Sequence, residues 1–174
     1  EITSWEVGMK SEWLDNRLRL NAALFYNDNE NLQITEIVNG VRTVRNSGEN
    51  TTKGGELDFN ALLTDNLSLN GAYGYRKTDF SEGGGRADGK DTASIALVYS
   101  YPLSNGFLDA RFDTTYTDAE NFSSSQWGNS KSRTLMNARL GISDVQLGDL
   151  GALRAAFWVR NLRDEEYIIY GADL

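Results

Sequence analysis

Residues 2–33 alternate between apolar and polar positions in two runs joined by a short polar turn. In the first run Trp5, Val7, Met9 and Trp13 share one side, and Glu6, Gly8, Lys10 and Glu12 the other. In the second, Leu18, Leu20, Ala22, Leu24 and Tyr26 oppose Arg19, Asn21, Ala23 and Phe25. Leu14-Asp15-Asn16-Arg17 lies between them. A period of two is the signature of a β-strand, so this stretch predicts a hairpin with one apolar and one polar face.

The same pattern recurs along the chain. Alternating runs fall at 56–63, 67–75, 92–101, 108–116, 136–142 and 153–159, the last expected to continue towards Tyr170. Residues 34–53 are polar and carry Asn39-Gly40, which suits a long loop or a strand extension that turns there. The count is about eight strands, each near the ~9–11 residues that cross a bilayer. Their connections alternate short and long, with the long polar ones at 34–53, 81–91 and 121–133. Putting every long loop at one end is the habit of an up-and-down membrane barrel. The predicted fold is therefore all-β: one antiparallel up-and-down transmembrane barrel, or barrel segment, of about eight strands in a single domain spanning 1–174.

Aromatic residues cluster near the strand ends, as interfacial girdles do. Small residues (Gly8, Ala23, Ala72, Gly74, Ala96, Gly141, Ala156) recur on the polar side, where a crowded lumen would need them and open solvent would not. These features favour an apolar face towards lipid and a charged face towards the lumen. The opposite orientation, with Leu20, Leu57, Leu97 and Leu140 lining the pocket of a soluble lipocalin-like barrel, remains open at this point.

Composition then removes other classes. The chain has 174 residues and a formal net charge of −8, with no cysteine and no histidine. Acidic balance argues against a nucleic-acid partner, which needs a basic footprint. Without cysteine there is no disulfide framework or thiolate chemistry. Without histidine the commonest general base and metal ligand are missing. Carboxylate pairs such as Glu56/Asp58 and Asp109/Asp113 are better read as lumen charges than as a glycosidase pair, which needs a substrate cleft. Asp118, Glu120 and Asp164-Glu165-Glu166 lack the spacing of a calcium loop. The expectation is no enzyme, no catalytic or metal residues and no cofactor. For ligand contact the outward loops are the candidates, with Arg42, Arg45, Arg86 and Trp127, because arginine and aromatics are enriched at recognition surfaces.

Several segments also carry a family resemblance. Residues 4–33 (SWEVGMKSEWLDNRLRLNAALFYNDNENLQ) resemble a hairpin of TonB-dependent outer-membrane receptors. Residues 46–58, Asp91-Thr92-Ala93-Ser94, 135–141 (LMNARLG) and 157–167 (FWVRNLRDEEY) are similar to later segments of that family, in the same order. The pattern departs before Thr92, where Asp91 stands in the place the family tends to give histidine and Gly89-Lys90-Asp91 replaces the expected proline. The resemblance implies the C-terminal barrel portion of a Gram-negative outer-membrane receptor for iron–siderophores or similar scarce nutrients, energised through TonB. Such receptors have roughly 22 strands around a plugged lumen. About eight strands would close only around their own side chains. The chain alone is thus expected to be structural, set in lipid or detergent, without a transport-competent lumen, a plug or a TonB-contacting segment. The alternative within that resemblance is a small self-contained or designed eight-stranded barrel.

Overall fold

In a computed structural model the chain forms one eight-stranded antiparallel sheet and a two-stranded ribbon. The structure describes residues 1–31, 33–38, 40–46, 48–80, 88–119 and 130–168. The strands are β1 (Ile2–Trp13), β2 (Leu18–Asn29), β3 (Gln33–Val38), β4 (Val41–Asn46), β5 (Asn50–Thr64), β6 (Leu67–Phe80), β7 (Asp88–Leu103), β8 (Gly106–Thr117), β9 (Arg133–Gln146) and β10 (Ala152–Val159). The sheet order is β1-β2-β5-β6-β7-β8-β9-β10, every neighbour antiparallel, with β3 and β4 paired separately as a ribbon.

Short turns close one end of the sheet. At the first, Arg17 N–H donates to the Leu14 carbonyl at 3.1 Å, and Leu14, Asp15 and Asn16 all take positive φ. At the third, the Asn105 side chain bridges to β9, donating to the Gln146 carbonyl at 2.9 Å and accepting from its N–H at 3.0 Å. The long connections, including the β3–β4 ribbon, all lie at the other end, as the alternating loop lengths require.

Each of the eight expected runs is a strand of the main sheet. The strands outrun the alternating windows at the loop end: β5 begins at Asn50 and β6 continues to Phe80. One expectation fails. The last strand stops at Val159 instead of running towards Tyr170, because Asn161 and Asp164 adopt positive φ and turn the chain. The Asn161 side chain fixes that turn, donating to the Glu165 carbonyl and accepting from its N–H, both at 3.0 Å.

The sheet is open. β1 is hydrogen-bonded only to β2, and β10 only to β9. A self-contained eight-stranded barrel needs those two edges joined, so that alternative does not describe this sheet. Nor is there a conventional core: Ala96 is the one buried apolar residue among the described ones. Val7, Leu24 and Phe157 are each more than two-thirds exposed, all on the same face. A soluble monomer rarely leaves so continuous an apolar face uncovered, so lipid or another apolar layer must cover it. The lipocalin-like arrangement fails for the same reason, since Leu57, Leu97 and Leu140 lie on this exposed face and enclose nothing.

The registers show how that face meets a bilayer. On β2 the apolar window runs from Leu18 to Tyr26; on β8 it runs from Leu108 to Tyr116. Following the pairs across the sheet, Tyr116 aligns with Ala93, Tyr73, Leu57 and Ala22, not with Tyr26. Phe112 aligns likewise with Leu18. Both ends of the window have therefore slipped four residues over four strand-to-strand steps, about one residue per strand. With a rise of about 3.3 Å per residue and strands about 4.8 Å apart, a level apolar band needs strands tilted by about 35°. That is the tilt of transmembrane barrel strands. It also levels the aromatics into two belts: Trp5, Tyr26, Tyr73, Tyr75 and Tyr116 towards the loops, and Trp13, Tyr99 and Tyr101 towards the turns, while Phe107 lies on the polar face.

Candidate functional site

The polar face carries the side-chain chemistry, and its organisation follows from register. Near the turn end, Asp109 of β8 sits between two neighbours, accepting from Ser100 of β7 at 2.8 Å and Ser143 of β9 at 2.5 Å. Two pleats along, Asp113 accepts from Arg111 Nε at 2.9 Å and from Asn137 of β9 at 2.8 Å. Asn137 in turn accepts the backbone N–H of Asn161 at 3.1 Å, which ties the turn after β10 to the sheet. On the other half, Asn21 of β2 donates to Asp58 of β5 at 2.9 Å, and Arg19 of β2 pairs with Glu12 of β1 at 2.9 Å. These bonds join adjacent strands across one face. They make the carboxylates Asp58, Asp109 and Asp113 acceptors in a wall, not a catalytic pair. Ala96 and Gly141, two of the few buried residues, lie on this same face, where their small size keeps the wall smooth.

Towards the loop end the wall changes character. Arg76 of β6 and Lys90 of β7 are directly opposed in register, and both lie on the polar face. They border a cleft of about 260 Å³ lined also by Phe25, Glu56, Asp91, Thr92, Thr117 and Asp118. Arg76 has no hydrogen bond or ion pair with any described residue. Arg133, at the start of β9, opposes Thr117 on the same face and lies under the Tyr167 ring, with its guanidinium carbon 5.0 Å from the ring centre. One of its terminal nitrogens is buried without an acceptor.

The residues expected from the loops are distributed as follows. Arg42 is exposed on β4, opposite Ile37, in the ribbon at the loop end. Arg45 is on the same strand, its backbone opposite Ile34. Arg86 and Trp127 lie outside the described residues, as does Glu120. No group of three acidic side chains among the described residues is placed to hold a metal ion. The pair Arg76 and Lys90 escaped the sequence reading. Its signal was there, since the two flank the glycine-rich loop and any hairpin across that loop brings them close. Only the register shows that they are opposed and on the lumen side.

The open sheet, its tilted apolar band and its hydrogen-bonded polar wall together describe a section of barrel wall. Residues 1–162 match the family model described as TonB dependent receptor-like, beta-barrel. The chain belongs to the TonB-dependent receptor β-barrel family. Receptors of this family are transporters of the Gram-negative outer membrane, which is where this barrel section lies. It is similar to a protein of Acinetobacter baumannii named as a probable TonB-dependent siderophore receptor, PiuA, with 32% identity over 84 residues. That match covers 48% of this chain and 11% of the relative. It is also similar to an uncharacterized TonB-dependent receptor of Haemophilus influenzae, with 38% identity over 74 residues, covering 42% of this chain and 21% of the relative. The matched region thus spans a small part of each of these receptors. Family membership accounts for the open edges, since a TonB-dependent receptor wall has roughly 22 strands and eight of them leave two edges to be joined.

Proposed function

We propose that this chain is a section of the barrel wall of a TonB-dependent uptake receptor that captures an iron–siderophore, or a similar scarce chelate, at its loop end. The observation that carries this reading is the open eight-stranded sheet with lipid-facing apolar side chains and a hydrogen-bonded polar wall. In lipid every backbone polar group must find a partner, so the β1 and β10 edges require further strands. Taken by itself the chain is structural; a lumen wide enough for a chelate exists only in the completed barrel. The family membership and the name of the Acinetobacter relative support the transport reading and its siderophore class. TonB is the expected energy-coupling partner, through parts of the receptor other than this wall.

Within that reading Arg42, Arg45, Arg86 and Trp127 belong to the capturing side. Arg42 and Arg45 lie on β4, in the ribbon between β2 and β5. Uptake of radiolabelled iron, supplied as a panel of ferric siderophores to cells expressing the complete receptor, tests the proposal. Accumulation that requires both the receptor and TonB is the expected result. Accumulation indifferent to TonB, or no ferric chelate bound by the purified receptor, contradicts it.

A further inference from the structure

Strand tilt also decides how small and bulky residues line up on the lipid face. Ala110 of β8 is paired with Leu140 of β9, and Ala138, two residues nearer the loops, is paired with Phe112. A step of one strand, about 4.8 Å, combined with two residues, about 6.6 Å, makes a diagonal about 36° from the strand direction. The strands tilt by about 35° from the membrane normal, and the register rows rise towards the loop end from β2 to β8. The two angles cancel, so the line from Ala110 to Ala138 lies along the membrane normal. The opposite diagonal, from Phe112 to Leu140, lies nearly in the membrane plane. These two side chains therefore stand on either side of an upright groove.

The groove has a volume of about 310 Å³. Ala110 and Ala138 form its floor, Tyr99 and Phe112 line one bank, and Leu140 and Val159 the other. At its foot stands Tyr101, one strand back and two residues nearer the turns than the partner of Ala110, with its ring stacked on Tyr99 at 6.2 Å. Neither tyrosine hydroxyl has a hydrogen-bond partner among the described residues. Counted from the turn-end limit near Leu108, the floor rises from about 5 Å to about 14 Å in a band about 22 Å tall. It thus runs from the turn-end belt to just past mid-depth. A parallel diagonal, Ala61-Gly71-Ala93, is closed by the chain itself, because the Phe59 ring lies over Gly71. The groove over Ala110 and Ala138 stays open. An unfilled groove forfeits the dispersion contacts of its lining. In a bilayer, lipid tails are as apolar as the side chains, so close packing decides what sits there. A straight apolar slot parallel to the normal and ending at an aromatic belt fits an extended acyl chain. A strand of a neighbouring barrel is tilted and does not follow it.

We propose that the groove over Ala110 and Ala138 is a fixed lipid site, holding one acyl chain of a phospholipid from the periplasmic leaflet, on which the short turns lie. The chain enters beside Tyr101, whose hydroxyl donates to an ester or phosphate oxygen of the lipid. It then passes between Phe112 and Leu140 towards mid-membrane. Such a site depends on the lipid-facing orientation of the wall and not on what the receptor carries.

The test uses the complete receptor in phosphatidylethanolamine vesicles doped with one of two photoreactive analogues of that lipid. One carries a diazirine close to the acyl carboxyl, the other a diazirine halfway along the chain. After irradiation the labelled peptides are mapped by mass spectrometry, and heat-modifiable migration checks the insertion of every variant. The expected result is labelling of β8 and β9 in excess over the other lipid-facing strands. The carboxyl-side probe should label near Tyr101 and Ala110, and the mid-chain probe near Ala138. Ala110→Leu combined with Ala138→Leu fills the groove and should lose that excess, with labelling of β5 and β6 unchanged. Ala22→Leu, on the lipid face of β2, should retain it. Tyr101→Phe should reduce the excess without abolishing it. Uniform labelling of the lipid face, or an excess that survives filling of the groove, overturns the inference. The reverse order of the two probes along the groove does so as well, since the chain would then come from the outer leaflet. Shielding of β8 and β9 from both probes in receptors that purify as dimers would put a second copy in the groove, with the same consequence.

Discussion

Gly71 lies opposite Phe59 in the β5–β6 register, on the lipid side of the sheet. A Cβ at this glycine would sit 2.4 Å from Phe59 Cε1 and 2.7 Å from Cζ. No real Cβ contact is that short, so Gly71→Ala forces the ring off its present seat over β6. Overpacking of this kind costs about 1–3 kcal/mol, and the ring also loses its contact with the neighbouring backbone. The obstacle is the far edge of a side chain, so shortening that side chain should relieve it. Phe59→Leu combined with Gly71→Ala is expected to recover about 1–2 kcal/mol relative to the sum of the single changes, as coupled neighbours do. Gly54 provides the contrast. Its Cβ would lie 2.1 Å from the carbonyl oxygen of Tyr75, a backbone atom of the paired strand, as well as 2.6 Å from Phe25 Cζ. Trimming Phe25 removes only one of those clashes, so Phe25→Leu should not rescue Gly54→Ala. The assay is the guanidinium unfolding midpoint of the complete protein in vesicles, run on both double-mutant cycles. A Gly71→Ala variant as stable as the wild type, or a rescue of Gly54→Ala equal to that of Gly71→Ala, would refute the reasoning.

Other substitutions probe the two faces and the turn after β10. Phe112→Lys places a charge in the middle of the β8 window and should cost about 2–4 kcal/mol in vesicles, read from the same unfolding midpoint. Asp113→Ala leaves Arg111 and Asn137 without their shared acceptor; the expected loss is about 1–3 kcal/mol. Asp65→Ala removes the exposed 3.2 Å pair with Arg17 and should change stability by less than about 1 kcal/mol. Asn161→Ala removes both side-chain bonds to Glu165, and limited proteolysis should then cut between residues 160 and 168 faster than in the wild type.

The strands were legible because a membrane wall imposes period-two alternation wherever a strand crosses the apolar band. Leu18–Tyr26 and Leu108–Tyr116 reveal themselves in this way. The pattern fades outside the band, where neither face has to be apolar, yet backbone pairing continues. That is why the Thr51-Thr52-Lys53 start of β5 and the 88–91 start of β7 looked like loop. The stop after Val159 is foreshadowed by the loss of alternation, since Leu162 is the one apolar residue from 160 to 166, but the turn itself comes from the left-handed backbone at Asn161 and Asp164. Band tilt and the alignment of Arg76 with Lys90 depend on register, which no single strand encodes. Openness of the sheet is likewise a property of two edges far apart in sequence. The loop residues Arg42 and Arg45 could be named from their type, but their type does not say what they contact.

The central claim is that the apolar face meets lipid and the polar face lines the lumen. The most direct test places single nitroxide labels at successive positions 93–99 of β7 in the complete receptor in vesicles, and measures accessibility to oxygen and to a water-soluble nickel chelate. The account predicts a period of two, with labels at Ala93, Ile95, Leu97 and Tyr99 exposed to oxygen and shielded from nickel. Labels at Ser94, Ala96 and Val98 should show little oxygen contact. The opposite phase, or no alternation at all, would contradict it.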